Sequence, residues 1–308
     1  MVRRVLVTGA SGFVGRHAVE ALLDRGFEVH ALARTPPQQL AAEPAAQRAV
    51  WHAADLLDGA ATAAVIRSVR PSHLLHLAWY VEHGRFWNAA ENLDWVAASL
   101  ALLRRFHAEG GTRVVCAGTC AEYDWSGECC DERTQLAPAS LYGVSKNALR
   151  TIVEEYARST RLSAAWGRIF FTYGPGEAPE RIIAAAARAL VRGEGFTCSA
   201  GTQVRDFLYV EDVATAFAAL LDNSATGAFD IGSGEAIALR SLLERLERLA
   251  GREQLVLFGE PAPNEPARLV ADSSRLRNEV GWEPRRHLDE GLERTLAWWR
   301  DDPTAGVR

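Results

Sequence analysis

Tyr142 and Lys146 stand four residues apart in Leu141-Tyr142-Gly143-Val144-Ser145-Lys146, at the start of a stretch with helical periodicity. Residues at this spacing project from the same face of a helix. An isolated tyrosine titrates at about pH 10 and exchanges protons poorly at neutrality, but an ammonium beside it favours the phenolate and brings proton transfer within reach of pH 7. The pair therefore reads as acid–base machinery. Lys146 is also the one lysine among 34 basic residues, all the others being arginine. A compact ammonium on a flexible stem must do something here that a planar guanidinium does not.

A second constellation opens the chain. Val5-Leu6-Val7-Thr8 is an apolar β-branched run, followed by Gly9-Ala10-Ser11-Gly12-Phe13-Val14-Gly15 and then a helical pattern. In such a strand, turn and helix, Gly9 permits the tight turn, Gly12 lets the backbone approach a pyrophosphate, and Gly15 allows close helix packing. Free N–H groups of residues such as Ser11, Phe13 and Val14 then face the anion. This predicts a dinucleotide site. Sites selective for NAD(H) commonly end the second strand in a carboxylate that holds the ribose 2′-hydroxyl. Here that strand ends in Ala33-Arg34. A guanidinium can bind a 2′-phosphate through paired hydrogen bonds, so NADP(H) is expected over NAD(H).

The elements that would carry these groups alternate in the manner of repeated βαβ units. Strands are predicted over 4–8, 28–33, 73–77, 113–117 and 164–169, with helices over 14–25, 59–68, 92–109 and 141–159. The fold class is α/β, a Rossmann-type doubly wound parallel sheet. Residues 1–170 form its dinucleotide-binding domain. Residues 171–308 form a smaller, interleaved substrate-binding region, some of whose segments return to the sheet. Helices are expected there over 181–192, 213–221, 238–250 and 288–300, with a strand over 207–210. Pro36-Pro37 and residues 261–266 read as loops.

With these motifs in place, the chain resembles the extended short-chain dehydrogenase/reductase family, in its nucleotide-sugar epimerase, dehydratase and ketoreductase branch. The resemblance rests on residues 8–15, Asp55-Leu56-Leu57-Asp58, His76-Leu77-Ala78, Asn92, residues 117–123, Tyr142 to Lys146, and residues 168–176, 205–214 and 272–284. It implies that Asp55 and Leu56 contact the adenine, that Leu77 and Ala78 line the cofactor path, and that Lys146 holds the nicotinamide ribose. Thr119 falls where the family places a serine or threonine, which implies that its hydroxyl stabilises the reacting oxygen. Arg205 matches an arginine that contacts the substrate diphosphate, and Phe171 replaces the asparagine usual for that contact. The later arginine that assists it has no clear equivalent around residues 262–265. Trp79, Tyr80, His83 and Trp87 could build an aromatic pocket for a sugar or base, with Trp79 as the expected substrate contact.

Three reactions share the scaffold. The resemblance implies that a dehydratase would carry an acidic residue two positions before Tyr123, but Ala121 stands there with Cys120 before it; Glu122, in an extended segment, would point to the other face. Ketoreduction of a nucleotide-linked deoxysugar is therefore expected first. A redox-neutral 4-epimerase with bound NAD(P) and a dehydratase or decarboxylase remain alternatives. A non-catalytic protein that senses NADP is an alternative of another class.

Composition narrows the remainder. A net charge of −5 and a pI near 5.9 argue against a nucleic-acid surface, and no apolar run approaches the ~20 residues needed to span a bilayer. The first residues read as a strand rather than a signal peptide, so a cytoplasmic location is expected. Five cysteines without paired spacing indicate neither a zinc site nor a disulfide framework, so no metal is expected. A homodimer is expected through the helices over 92–109 and 141–159, whose apolar residues Trp95, Leu100, Leu103, Ile152, Val153 and Tyr156 exceed what one sheet face needs.

Overall fold

Val5, Leu6 and Val7 are fully buried, which is the reason an uninterrupted apolar run opens the chain: a parallel strand covered by helices on both faces has no polar side. The computed structural model describes residues 3–35, 47–126, 130, 134–261 and 265–301. Its centre is a seven-stranded parallel sheet. β1 (Arg4–Thr8), β2 (Glu28–Ala33), β3 (Val50–Ala53), β4 (His73–His76), β5 (Arg113–Thr119) and β6 (Ser163–Ile169) are joined by a seventh strand, Gly227–Ile231. Spatially the order runs from the seventh strand through β6, β5, β4, β1 and β2 to β3. The order reverses between β1 and β4, so a crevice opens there beyond the carboxyl ends of the strands.

The two faces bury different helices. Phe13–Asp24 and Val210–Leu221 cover one, through Ala18, Val19 and Leu22 against Val213, Phe217 and Leu220. Gly59–Val69, Glu91–Ala108 and Leu141–Ser159 cover the other. A third cluster joins helices Ile182–Arg192, Leu239–Leu249 and Leu288–Asp301 into the C-terminal lobe, where Ile183, Leu190, Leu243, Leu246, Leu292 and Trp299 are buried. No helix of the described residues is long and apolar enough to cross a membrane.

Two strands carry no usable local signal. Val50–Ala53 is an edge strand with two exposed and two half-buried residues, so no alternation marks it. Gly227–Ile231 enters from the second half of the sequence, next to β6. The helix expected over 213–221 begins at Val210, because Glu211 and Asp212 belong in its first turn. There Asp212 accepts the Arg285 and Arg286 N–H groups. Of the six apolar residues expected at a dimer face, Leu103 and Val153 are core. Pro36-Pro37 lies outside the described residues, as do residues 262–264 of the second expected proline loop.

At the turn after β1 the backbone leaves no room for side chains. Gly9 has φ 71°, and a β-carbon on it would lie 2.7 Å from the Ala78 nitrogen. One on Gly15 would collide with the Gly9 carbonyl. Gly15→Ala should therefore push the first helix off the turn and lower unfolding stability by about 1–3 kcal/mol, measured by urea denaturation; a change below ~0.5 kcal/mol would mean the turn yields freely.

Candidate active site

β5 ends at Thr119, which also caps the short 3-10 turn Cys120–Glu122, its Oγ accepting the Ala121 N–H at 3.2 Å. Glu122 completes a capping box, and its Oε1 accepts the Thr119 N–H at 2.9 Å. The segment is therefore not extended past Thr119. Glu122 turns inward, without exposed surface, where Oε1 also accepts the Trp166 indole and Oε2 accepts Arg168 Nε, each at 2.9 Å. Arg168 continues to the Tyr123 hydroxyl at 3.0 Å, and Tyr123 donates to Asp230 on the seventh strand. Burial pushes Asp230 up to about 7 and is only partly offset by Arg168.

The helix bearing the tyrosine and lysine is brought against this turn. Ser140 caps it by accepting the Gly143 N–H at 3.2 Å, and a β-carbon on Gly143 would collide with the Ala121 carbonyl. Tyr142 is thereby brought beside Thr119, which favours its charged form. Phe86 and Trp87 meet its ring edge to face, at 4.9 and 5.9 Å. Burial raises the Tyr142 pKa, and Thr119 and Arg181 counter only part of the rise.

Lys146 is itself buried, its Nζ donating to the Ala117 carbonyl at 2.8 Å. Burial pushes it down to about 7 against the opposing pull of Glu122 and Cys116. Nearby His76 bridges Thr8 and Ser99 at 2.7 and 2.8 Å and is pushed down to about 3 by burial, with the Lys146 charge adding to it. It is a neutral brace between β1, β4 and the helix Glu91–Ala108.

The dinucleotide residues gather at the crevice. Gly12 caps the first helix with no side-chain hydrogen bond, so the N–H groups of Phe13, Val14 and Gly15 begin a helix whose end no side chain closes. Ser11 is half-buried beside it. Leu77 N–H bonds Thr8 O at 3.2 Å, which brings Ala78 under Gly9. Leu56 is buried at the end of β3, while Asp55 accepts the Leu57 N–H at 3.0 Å. Arg34 is exposed beside buried Ala33. An open helix end and a glycine crevice too tight for β-carbons fit a bound pyrophosphate.

On the opposite side the expected contacts do not converge. Arg205 is buried and its guanidinium is engaged internally: Nη1 donates to Val204 and Pro266 carbonyls at 2.9 and 2.8 Å, and Nη2 to Glu265 at 3.4 Å. Phe171 lies under it, 5.4 Å from ring centre to guanidinium carbon, and packs on Phe207. Trp79 is buried, with its ring under Lys146. Tyr80 donates to Glu82, and His83 is exposed. Only Trp87 of that expected aromatic group faces Tyr142, and Trp125 packs on the Trp87 ring. Glu122, Arg168 and Asp230 are the groups that sequence reasoning missed as parts of the site. Their only signal was an acidic residue in an apolar segment.

With this geometry established, comparison with known proteins assigns the class. The model of the NAD dependent epimerase/dehydratase family matches residues 5–232, and the chain belongs to that family of extended short-chain dehydrogenase/reductase enzymes. It is 27% identical to the dTDP-glucose 4,6-dehydratase of Neisseria gonorrhoeae, covering 98% of this chain and 97% of that protein. It is 26% identical to the UDP-glucose 4-epimerase of Azospirillum brasilense, covering 96% and 91%. The crystal structure of the Thermus thermophilus UDP-glucose 4-epimerase in complex with NAD superposes with TM-score 0.83 at 28% identity, over 97% of this chain and 99% of that one.

The buried amine makes a measurable prediction. Its folded pKa of about 7 lies below the ordinary lysine value of 10.5, so between these the unfolded chain binds a proton that the folded chain does not, and stability rises with pH. Lys146→Met should remove this contribution, flattening the slope of unfolding free energy between roughly pH 7.5 and 9.5 by about 1.4 kcal/mol per pH unit. Parallel slopes for the two proteins in urea titrations would show that the amine is not held in this state.

Proposed function

We propose that the chain transfers a hydride at the 4-position of a nucleotide-linked deoxysugar without eliminating water, acting as an NADP(H)-dependent 4-ketoreductase. The observation that carries this reading is the set of side chains around Thr119. Tyr142 stands beside it, and the next two side chains are a buried thiol and a buried methyl. Burial pushes the Cys120 thiol up, so it stays protonated. Glu122, in the same turn, is directed inward and paired with Arg168. Removal of water needs a base or acid at the neighbouring carbon, and this turn offers none.

When bound, the nicotinamide supplies the hydride. Tyr142 holds a proton on Oη that can pass to the substrate oxygen, and Thr119 Oγ donates a second hydrogen bond to that oxygen, stabilising the charge that develops there. Lys146, when protonated, places a positive charge beside the ribose and the phenol. Gly9, Gly12 and Gly15 receive the pyrophosphate with the N–H groups after Gly12, while Asp55, Leu56, Leu77 and Ala78 line the adenine and ribose path. Arg34 beside Ala33 supports the phosphorylated cofactor. A homodimer is supported by Leu93, Val144 and Ile152, exposed on the two long helices. The second reading, redox-neutral 4-epimerisation, is favoured by the epimerase relative over nearly the whole chain.

A nucleotide-linked 4-keto-6-deoxysugar mixed with NADPH separates these readings. Stoichiometric loss of the reduced cofactor and appearance of a 4-hydroxyl is the expected result; inversion of a nucleotide hexose without net cofactor consumption supports the epimerase; loss of water would sink both. Tyr142→Phe should stop turnover while leaving cofactor binding intact, and Thr119→Ala should slow it by roughly 10–1000-fold.

Cofactor choice is tested separately by titration. NADPH should bind about tenfold or more tightly than NADH, and Arg34→Ala should erase most of that difference. Equal affinities in the natural chain would remove the case for NADP.

A further inference from the structure

Lys146 has three N–H donors, and the one described hydrogen bond it makes is to the Ala117 carbonyl. The face of the Trp79 indole lies beneath the same ammonium, 3.9 Å from Nζ to the ring centre. That ring is not free to turn. Its Nε1 donates to Asn92 Oδ1 at 2.9 Å, and the Asn92 amide donates in turn to the Phe86 and Ala89 carbonyls at 2.8 and 2.9 Å. Asn92 has no exposed surface, and Trp95 packs against Trp79 with ring centres 6.3 Å apart. An asparagine at the start of one helix thus fixes an indole, and the indole supports a charge carried on another.

We propose that Trp79 is a positioning residue: its ring face holds the Lys146 ammonium against the Ala117 carbonyl and favours its protonated form in a buried site. The proposal rests on reading Lys146 as part of the catalytic group. A cation over an indole is attracted by the ring quadrupole, most strongly where water is excluded. The other groups facing the ammonium give limited support. His76 on β4 is neutral, burial holding it at about 3. Cys116 on β5 is pushed up to about 12 and stays a thiol, and the Tyr142 phenol is raised and uncharged. Glu122 favours the charged amine while itself paired with Arg168. The indole adds to that support and offsets part of what burial removes. The arrangement also accounts for lysine in a chain that otherwise uses arginine: a point charge fits between a carbonyl and a ring face, whereas a guanidinium is a broad plane with a fork of donors.

Because the chain has a single lysine, protein grown with 13C,15N-lysine gives one side-chain signal, which can be titrated without cofactor or substrate. The ε-methylene protons of the natural chain should be shifted upfield by the ring current. In Trp79→Leu that shift should vanish and the titration midpoint should fall by roughly half to one and a half pH units, since the protonated form loses its support. Trp79→Phe, with a smaller ring, should fall by less, and it decides the matter alone if the leucine variant does not fold. A midpoint unchanged or raised in the folded variants, or no upfield shift in the natural chain, overturns the proposal. Adding NADP+ to the same sample tests the underlying catalytic reading separately: no perturbation of the lysine signal would count against Lys146 as a cofactor contact and leave the stacked geometry standing.

Discussion

A carboxylate without exposed surface, Glu122, joins the end of β5 to β6 and the seventh strand. It accepts the Thr119 N–H, the Trp166 indole and the Arg168 guanidinium, and the Arg150 guanidinium adds an ion pair at 3.8 Å. A buried charge of this kind is tolerable only when paired and fully hydrogen-bonded, and removing one partner typically costs several kcal/mol. The consequence is rigidity where the reaction needs it. Thr119 cannot shift without breaking the bond to Glu122, and Glu122 cannot shift without uncovering Arg168, Tyr123 and Asp230. Gly118 belongs to the same arrangement, because a β-carbon there would run into the Trp166 indole and lie 2.6 Å from Glu122.

Against this fixed turn Tyr142 and Lys146 are held in opposite ways. Tyr142 keeps its proton: burial disfavours the phenolate, and the strongest help for the charged form comes from Thr119. Lys146 is poised near neutrality by burial. A tyrosine that holds its proton is a donor, the role that reduction of a carbonyl requires. The positive charge of an oxidised nicotinamide would favour the reverse direction by stabilising phenolate. The direction of proton flow thus depends on what occupies the crevice, while the protein supplies the geometry.

Other expected contacts are held by different physics. Trp87 packs on Trp125 and Phe171 on Phe207, and the Arg205 guanidinium is occupied by two carbonyls and Glu265. Arg181 is the cation that acts on Tyr142 from the C-terminal lobe, at the residue that caps the helix Ile182–Arg192. The lobe therefore places a charge at a helix start where it acts on the Tyr142 phenol.

How much of this was legible in the amino-acid sequence follows from the range of the interactions. The glycine turn, the tyrosine and lysine on one helical face, and the alternation of strands and helices are local, so spacing alone determined them; Gly9, Gly15, Tyr142 and Lys146 occupy the places that their types imply. The edge strand Val50–Ala53 escaped because its neighbours cover only one side of it, leaving no periodicity to read. Glu122 escaped for a different reason. Alternation along an extended segment assigns a side chain to a face, but β5 breaks into a 3-10 turn after Thr119, and the partners that make an inward carboxylate acceptable lie on β6 and on a strand near residue 230. Trp79 looked like a substrate contact because an aromatic next to the cofactor path is chemically plausible in either role. Tertiary structure decided it: Asn92 lies thirteen residues on and Lys146 on another helix, and the state of a buried charge depends on every group packed around it, which no local pattern records.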